Sequence, residues 1–460
     1  MAQRLLCYVT KMRSLLSAIE ERLDQPTARG LAAAVSRAIV DGALPGGTRL
    51  PPIRTVATEL SLSPTTVSSA WSSLVRHGLL RTDGRRGTTV LDRSSAGADR
   101  YRRALGRPNS LRLDLSTGVP DGALLPELTE VLANLQRAGT PSSYLEEPVV
   151  PELAERLRAD WPYPDIALTV VDGAMDALDL LTQTVLRAGD RVVVEHPCFP
   201  PILDILEALS VEIIGVPMDE QGLDPESLRA ALTTSVVAVV IQPRAHNPTG
   251  VTMTRDRAED LAALLSECAA LVVEDDSAHG LSPTPALSLG EWLPDRTVHV
   301  RSFSKSYGPD LRLAAMSGPA DLMRAVDARR HRGQGWSSRL LQRILLGLLT
   351  NSSAADQVRA AQHAYADRRG QFVEALTARG VEIRGSEGIN VWVPVADETA
   401  AVAQLASQGI GVSAGAPFAV LPGMPGHIRV TVGLVRKDHE GLAEVVAGAA
   451  VASGRSARTR

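Results

Sequence analysis

Lysine is nearly absent from this chain, whose 460 residues include three lysines against 45 arginines. An arginine cannot give up its proton to attack a carbonyl, whereas a lysine amine can be tuned to form a Schiff base. Lys11 and Lys437 lie in ordinary polar contexts, but Lys305 ends a Ser-Phe-Ser-Lys segment and precedes Arg312 by seven residues. Hydroxyls and a guanidinium at this spacing suit a phosphate. We therefore predict a chemical role for the amine of Lys305; the alternative is a surface lysine kept by chance.

Cysteines, metal-ligand clusters and long apolar runs are also scarce or missing. Cys7, Cys198 and Cys268 are odd in number and far apart, which indicates a reducing compartment, the cytoplasm, and argues against a disulfide framework. The nine histidines form no metal-spaced cluster with them, so no metal site is expected. No apolar run reaches membrane-spanning length, and charges interrupt the segment 1–25 too often for a typical signal peptide. We therefore expect no membrane partner.

Four further segments predict a pocket for an aldehyde cofactor that carries a phosphate. The segment 172–175 opens a helix-like run, and free backbone amides at a helix start bind phosphate. Asp275 ends an apolar strand-like run, where its carboxylate could pair with a protonated pyridine nitrogen. Asn247 lies in a turn after another such run and could donate to a phenolate oxygen, and Phe199 could stack on a planar ring. Each segment alone could be purely structural: a helix start, an acidic strand end, a turn or a core aromatic.

Together these segments resemble the fold-type I aminotransferases that use pyridoxal 5'-phosphate (PLP), and their order along the chain matches that family. The resemblance implies an α/β domain with a mostly parallel large-domain sheet. It also implies that Lys305 forms the Schiff base and that Asp275 contacts the pyridine nitrogen. Asn247 would contact the ring hydroxyl, and Phe199 would lie on the ring face. The ligands implied for the phosphate are Gly173, Ala174, Met175, Ser302, Ser304 and Arg312.

Two more residues match that family, and two positions depart from it. Arg429 resembles the arginine that binds the substrate α-carboxylate, a task suited to a planar guanidinium, although it could also be a charge on an edge strand. Tyr144 resembles the tyrosine that reaches the phosphate of the neighbouring subunit, which implies a homodimer. Ser277 stands where the family usually has a tyrosine, which favours loss of sustained transamination. The Gly-rich segment that commonly follows the phosphate tyrosine is missing, which predicts a different pocket entrance.

Residues 27–91 have the pattern of a winged helix-turn-helix. Two amphipathic runs are followed by Ser63 as helix N-cap and Pro64 at the first helical position, which predicts a recognition helix over 64–77. The residues predicted to face its core side are Val67, Trp71 and Leu74. Small hydroxylated side chains on the other side suit phosphate and base-edge contacts in a major groove. Residues 78–90 predict a two-stranded wing with a basic tip.

Charge favours DNA as the partner of this segment. It carries eight arginines and three carboxylates, a formal charge of +5, whereas the whole chain has −4. The segment resembles the GntR-type winged helix, which implies contact with double-stranded operator DNA. The residues predicted to bind DNA are Arg54, Ser63, Thr65, Thr66, Ser68, Arg85 and Arg86.

A winged helix joined to an aminotransferase-like domain is similar to the MocR subfamily of transcription regulators. The predicted parts are an extension (1–26), the winged helix (27–91), a polar linker (92–112) and the aminotransferase-like domain (113–455). The resemblance implies a regulator that binds PLP on Lys305 and senses an amine or amino acid through Arg429, or senses PLP itself. Two other hypotheses stay open. The chain could be a working aminotransferase with an incidental winged helix, or a DNA-binding regulator with a degenerate pocket.

Overall fold

The computed structural model describes most of the chain, namely residues 14–23, 25–76, 79–82, 87–90, 100, 111–135, 143, 146–164 and 167–452. Three residues predicted to bind ligands lie outside these ranges: Tyr144, Arg85 and Arg86. The chain divides into two compact units, residues 1–99 and 100–460. The predicted linker 92–112 lies almost wholly outside the described residues, so its limits stay a prediction.

The N-terminal unit is a small helical domain with a two-stranded wing. Its elements are α1 (Ala28–Val40), α2 (Ile53–Glu59), α3 (Pro64–Arg76), β1 (Leu80–Thr82) and β2 (Thr88–Val90). The backbone N–H of Thr66 donates to Ser63 Oγ at 3.0 Å just before α3, which confirms the predicted cap. The strands β1 and β2 are antiparallel, with Leu80 opposite Val90, so the structure contains the predicted wing. Its tip, residues 83–86, lies outside the described ranges.

The core of this unit forms where α3 packs against α1 and α2. Val67, Trp71 and Leu74 are buried, as the helical spacing predicted, and Trp71 is 3% exposed. They share one apolar cluster with Leu31 of α1 and Val56 of α2. The exposed side of α3 carries mainly polar side chains, which places its hydroxyls where a ligand could reach them.

The C-terminal unit is built on an eight-stranded sheet. After β3 (Leu113–Asp114), its strands are β4 (Ala167–Val171), β5 (Arg191–His196), β6 (Glu212–Asp219), β7 (Gly222–Leu223), β8 (Ala238–Ile241), β9 (Leu271–Asp276), β10 (Thr297–Ser302) and β11 (Ala314–Gly318). Their order in the sheet is β4-β11-β10-β9-β8-β5-β6-β7. Only β11 and β7 run against the others in this sheet, which confirms the predicted α/β fold with a mostly parallel sheet. The carboxyl ends of the parallel strands therefore share one edge, where α/β folds bind their ligands.

Helices cover both faces of this sheet, which explains the nearly unbroken apolar runs of its central strands. The helices of the unit are α4 (Thr129–Leu135), α5 (Pro151–Arg158), α6 (Ala174–Val185), α7 (Pro200–Ala208), α8 (Pro225–Ala231), α9 (Arg255–Ser266), α10 (Ala320–Arg330), α11 (Arg339–Thr350), α12 (Ser352–Thr377), α13 (Glu398–Ser407) and α14 (His439–Ala450). One apolar cluster joins the sheet to α6, α7 and α10, and another joins it to α8 and α9.

A smaller three-stranded antiparallel sheet follows α12. Its strands are β12 (Asn390–Pro394), β14 (Ser413–Ala414) and β15 (His427–Thr431), while β13 (Ile410–Gly411) pairs with β3. The order is β12-β15-β14, so β15 is the central strand. Side chains from α12, α13 and α14 form one apolar cluster with β12 and β15. Among the described residues, no helix combines the length and the apolar character needed to cross a bilayer.

Candidate functional site

The residues predicted to bind the cofactor follow the carboxyl ends of the parallel strands. Asp275 is the second-last residue of β9, and Lys305 follows the end of β10 by three residues. Asn247 lies in the loop after β8, and Gly173 lies between β4 and the first residue of α6. Strands that run in the same direction end at the same edge, so the topology brings these side chains to one site.

Lys305 is half-buried, and its amine donates a hydrogen bond to the carbonyl oxygen of Gly118. Removal from water lowers the pKa of this amine to about 8, with a further decrease from the nearby Arg429 guanidinium. The carboxylate of Asp275 acts in the opposite direction. A lowered pKa leaves more of the amine neutral near pH 7, and the neutral amine is the form that attacks an aldehyde.

Asp275 is buried, with 1% of its surface exposed. Its Oδ2 accepts a hydrogen bond from Gln242 Nε2 at 2.6 Å, whereas its Oδ1 has no partner among the described residues. Burial raises the pKa of this carboxyl to about 6. A buried acceptor without a partner is unfavourable, so Oδ1 is suited to a donor that the described part of the chain does not supply.

The neighbouring carboxylate of Asp276 is in a different situation. Arg244 Nε donates to Asp276 Oδ1 at 3.1 Å, and Arg244 Nη2 donates to the other oxygen. Although burial raises the pKa of Asp276, the charges of Arg244 and His299 outweigh it and hold that pKa far below its usual value. Both oxygens of Asp276 are therefore engaged, which leaves Asp275 as the carboxylate available to a ligand.

Arg429 and Asn247 contact each other in the same pocket. Arg429 is 1% exposed, and its Nη1 donates to Asn247 Oδ1 at 3.1 Å. Its Nη2 donates to the carbonyl of Ser116, and its guanidinium carbon lies 5.2 Å from the ring centre of Phe418. Because Asn247 Oδ1 accepts from the arginine, its amide nitrogen is left to donate elsewhere. The alternative of an edge-strand charge is wrong for Arg429, since β15 is the central strand of its sheet.

Two of the predicted phosphate ligands, Gly173 and Arg312, lie together at the start of α6. Gly173 has a φ of +106° and precedes Ala174 and Met175 of the first turn, which has no side-chain cap. A β-carbon on Gly173 would lie 3.3 Å from Arg312 Nη2, so the guanidinium rests against this turn. Ser302 pairs with Ala314, two residues after Arg312, which brings the end of β10 to the same hairpin. The backbone N–H of Ser304 donates to Ser302 Oγ at 3.4 Å.

Phe199 and Ser277 lie shortly after the ends of β5 and β9. Phe199 is half-buried before α7 and packs with Trp392 and Phe418. This packing is what a core aromatic would show, and its stacking on a cofactor ring stays a prediction. Ser277 directly follows β9 and is half-buried.

The N-terminal unit presents its predicted DNA-binding residues on α2 and α3. Arg54, Ser63, Thr65 and Ser68 are exposed, and Thr66 is half-buried. The Ser63 hydroxyl lies 2.7 Å from the hydroxyls of both Thr65 and Thr66. These hydroxyls therefore form one polar cluster at the start of the recognition helix, where phosphate contacts occur in helix-turn-helix proteins.

Known families match both units of the chain. A model described as "Bacterial regulatory proteins, gntR family" matches residues 27–90, and "Aminotransferase class I and II" matches residues 112–446. The vitamin B6 salvage pathway transcriptional repressor PtsJ of Salmonella typhimurium is 34% identical over 422 residues, which cover 89% of this chain and 95% of PtsJ. The chain belongs to the MocR subfamily of GntR-type transcription regulators. It is therefore a DNA-binding regulator with an aminotransferase-like domain, as the sequence predicted.

A second regulator and a solved aminotransferase structure are also similar to this MocR-type regulator. The pyridoxine biosynthesis transcriptional regulator PdxR of Corynebacterium glutamicum is 28% identical, over 83% of this chain and 86% of PdxR. The kynurenine aminotransferase of Pyrococcus horikoshii has a similar fold, with a TM-score of 0.65 and 23% identity over 74% of this chain and 91% of that enzyme.

PLP is the cofactor of this fold family, and the residues of the MocR-type pocket fit it. The unpartnered Asp275 Oδ1 fits a protonated ring nitrogen, and the amine of Lys305 fits the aldehyde. The turn at Gly173 lies against the Arg312 guanidinium and fits the phosphate. This agreement between the residues and the three functional groups of PLP supports the predicted cofactor.

Sequence reasoning missed three residues of this pocket. Gln242 contacts Asp275, Arg244 binds Asp276, and the Gly118 carbonyl accepts from Lys305. Gln242 follows the buried strand β8 directly and Arg244 follows it by three residues, so polar residues after an apolar run were the available signal. For Gly118, which is far away in sequence, the segment before α4 offered no such signal.

Proposed function

We propose that this chain binds an operator in the cytoplasm through its winged helix-turn-helix and senses the supply of PLP at Lys305. The observation that carries the proposal is an amine with its pKa lowered to about 8 near a buried Asp275 oxygen that has no partner. When bound, PLP supplies an aldehyde for a covalent link and a ring nitrogen for a carboxylate. PtsJ and PdxR are named for vitamin B6 salvage and pyridoxine biosynthesis, which supports the same signal here.

A second candidate signal is a small amine or amino acid that binds to the PLP-loaded protein. The observation that favours it is the buried guanidinium of Arg429, which lies close enough to Lys305 to lower the pKa of its amine. A planar guanidinium can bind a carboxylate through two parallel hydrogen bonds. In that case the ligand would replace the Ser116 carbonyl at Arg429 Nη2, and its amine would reach Lys305.

The proposed regulator acts as a homodimer. The support is the resemblance of Tyr144 to a tyrosine that reaches the phosphate site of a neighbouring subunit. A two-fold dimer would also present two recognition helices to two half-sites of an operator. Equilibrium sedimentation of the full chain tests this; a monomer at micromolar concentration would contradict it.

The two candidate signals can be separated by DNA-binding titrations. Operator fragments would be selected by the full chain from a random-sequence library, and their affinity would be measured with no addition, with PLP, and with PLP plus a mixture of amino acids. PLP sensing predicts a change of about tenfold on PLP addition, which is about 1.4 kcal/mol of coupling. A change only after the amino acids are added would favour the second signal. No change in either case would contradict both.

The hypothesis of a working aminotransferase has its own test. We expect the PLP-loaded chain to release no more keto acid from an amino acid than one equivalent, because Ser277 replaces the family's usual tyrosine. Continuous production of keto acid in the presence of a keto acceptor would contradict this expectation.

A further inference from the structure

Gln242 links two of the predicted cofactor ligands. It is 4% exposed and follows β8 directly. Its Nε2 donates to Asp275 Oδ2 at 2.6 Å, and its Oε1 accepts from the backbone N–H of Asn247 at 3.0 Å. Its own backbone N–H donates to Glu195 Oε2 at 2.8 Å. One side chain therefore contacts both the pyridine-nitrogen ligand and the loop of the ring-hydroxyl ligand.

The chemistry of these neighbours fixes the orientation of the Gln242 amide. A backbone N–H can only donate, so the group that faces Asn247 must be the amide oxygen. An ionised carboxylate can only accept, so the group that faces Asp275 must be the NH₂. Glutamine is therefore the residue type that satisfies both contacts with one planar group.

The same contacts continue to Arg429. Asn247 Oδ1 accepts from Arg429 Nη1 at 3.1 Å while its backbone N–H is held by Gln242. A connected series of hydrogen bonds thus joins Asp275, Gln242, Asn247 and Arg429. Because Gln242 occupies Asp275 Oδ2, the carboxylate has only Oδ1 left to bind a ligand.

We propose that Gln242 is a positioning residue. It fixes which oxygen of Asp275 faces the cofactor ring, and it holds the loop of Asn247 in place beside Asp275. The proposal rests on PLP binding at Lys305, as put forward above. Gln242 would act only through Asp275 and Asn247, without a contact to the cofactor. It would also connect the ring-nitrogen contact to the arginine that meets a ligand carboxylate.

The test compares four full-length proteins reconstituted with PLP: wild type, Gln242→Met, Gln242→Glu and Gln342→Met. Methionine keeps the length of the side chain and removes both hydrogen bonds. Glutamate keeps an acceptor for Asn247 but, when ionised, has no donor for Asp275. Gln342 is the matched control, because it is also buried and bonds three backbone groups, from Val150, Pro148 and Ser337.

We expect Gln242→Met and Gln242→Glu to bind PLP about tenfold more weakly than wild type, because each removes a hydrogen bond to a buried carboxylate. Burial raises the pKa of Asp275 and the Gln242 hydrogen bond opposes that rise, so its removal should shift the pH dependence of the bound cofactor's absorbance upward. Asp276, His299 and Lys305 also act on Asp275 and are unchanged in these variants. A merely structural glutamine would not move this pH dependence.

The outcomes separate this inference from the proposed function. Absence of PLP binding in the wild type would contradict the proposed function itself. Normal PLP binding by Gln242→Met, with an unchanged pH dependence, would overturn only the role of Gln242. Wild-type behaviour of Gln242→Glu would also overturn it, since that variant retains only the Asn247 contact. An equal loss of PLP binding in Gln342→Met would also overturn it, because the loss would then follow from replacing any buried glutamine.

Discussion

At the scale of single residues, the amine of Lys305 is expected to bind the aldehyde of PLP covalently. Lys305→Ala should lose the visible absorption of bound PLP, because no other lysine side chain lies near Asp275 among the described residues. Borohydride should fix PLP on the wild type but not on this variant. Lys437→Ala, which removes an exposed lysine, is the control and should keep the band. Fixation of PLP at another lysine in Lys305→Ala would contradict the assignment.

The lowered pKa of Lys305 predicts how its reactivity depends on pH. The amine is protonated below pH of about 8, so its acylation rate should rise with pH and level off near that value instead of near 10.5. Acetic anhydride labelling of the PLP-free chain, read by mass spectrometry, measures this rate, with the exposed Lys437 in the same sample as a reference. Arg429→Ala removes a positive neighbour and should move the inflection to higher pH. An inflection that stays in place would exclude this electrostatic cause.

At the scale of elements, the helices α2 and α3 are expected to carry the DNA contacts. Arg54→Ala should weaken operator binding and reduce the slope of log affinity against log salt by about one, because one phosphate contact releases about one counterion. Arg324→Ala provides the control, since it removes an exposed arginine from α10 of the other unit. Filter-binding titrations between about 50 and 200 mM salt measure the slope. Equal slopes for Arg54→Ala and the wild type would remove this residue from the interface.

The sequence could predict features that depend on a single strand or helix, but not features that depend on contacts between distant elements. Buried parallel strands are apolar runs that end in polar residues, so Asp275 and Asn247 could be recognised as candidates from local pattern, while their roles came from the resemblance to the aminotransferases. Lys305 was recognised because lysine is scarce and a Ser-Phe-Ser segment precedes it. The cap at Ser63 is local too, since it joins residues three positions apart. Strand order depends on contacts between distant segments, so the sequence left Arg429 open between a ligand and an edge charge. Gln242 also follows a buried strand, but its contact with Asp275, which lies 33 residues away, could not be predicted from local pattern.

At the scale of the whole molecule, Arg429→Ala should separate ligand sensing from DNA binding. The guanidinium belongs to the C-terminal unit, so basal operator affinity should remain, and the visible band of bound PLP should remain because Lys305 and Asp275 are unchanged. The response to an amino-acid effector should disappear, because losing a buried partner of a carboxylate costs about 2 to 5 kcal/mol, more than the roughly 1 to 3 kcal/mol of a typical allosteric coupling. Operator titrations against effector concentration measure this, with Arg429→Lys as the conservative variant. An unchanged midpoint and amplitude in Arg429→Ala would favour PLP itself as the signal.

The backbone at Arg312 has a consequence for the whole fold. Its φ of +48° and ψ of +40° lie in the left-handed region, which costs a residue with a β-carbon about 1 to 2 kcal/mol. Glycine would relieve that strain but would remove the guanidinium that rests against the turn at Gly173. The C-terminal unit therefore keeps a backbone conformation at Arg312 that is less favourable than the same conformation would be for glycine. The left-handed backbone at Arg312 instead directs its guanidinium to the turn at Gly173, where the phosphate of the cofactor is predicted to bind.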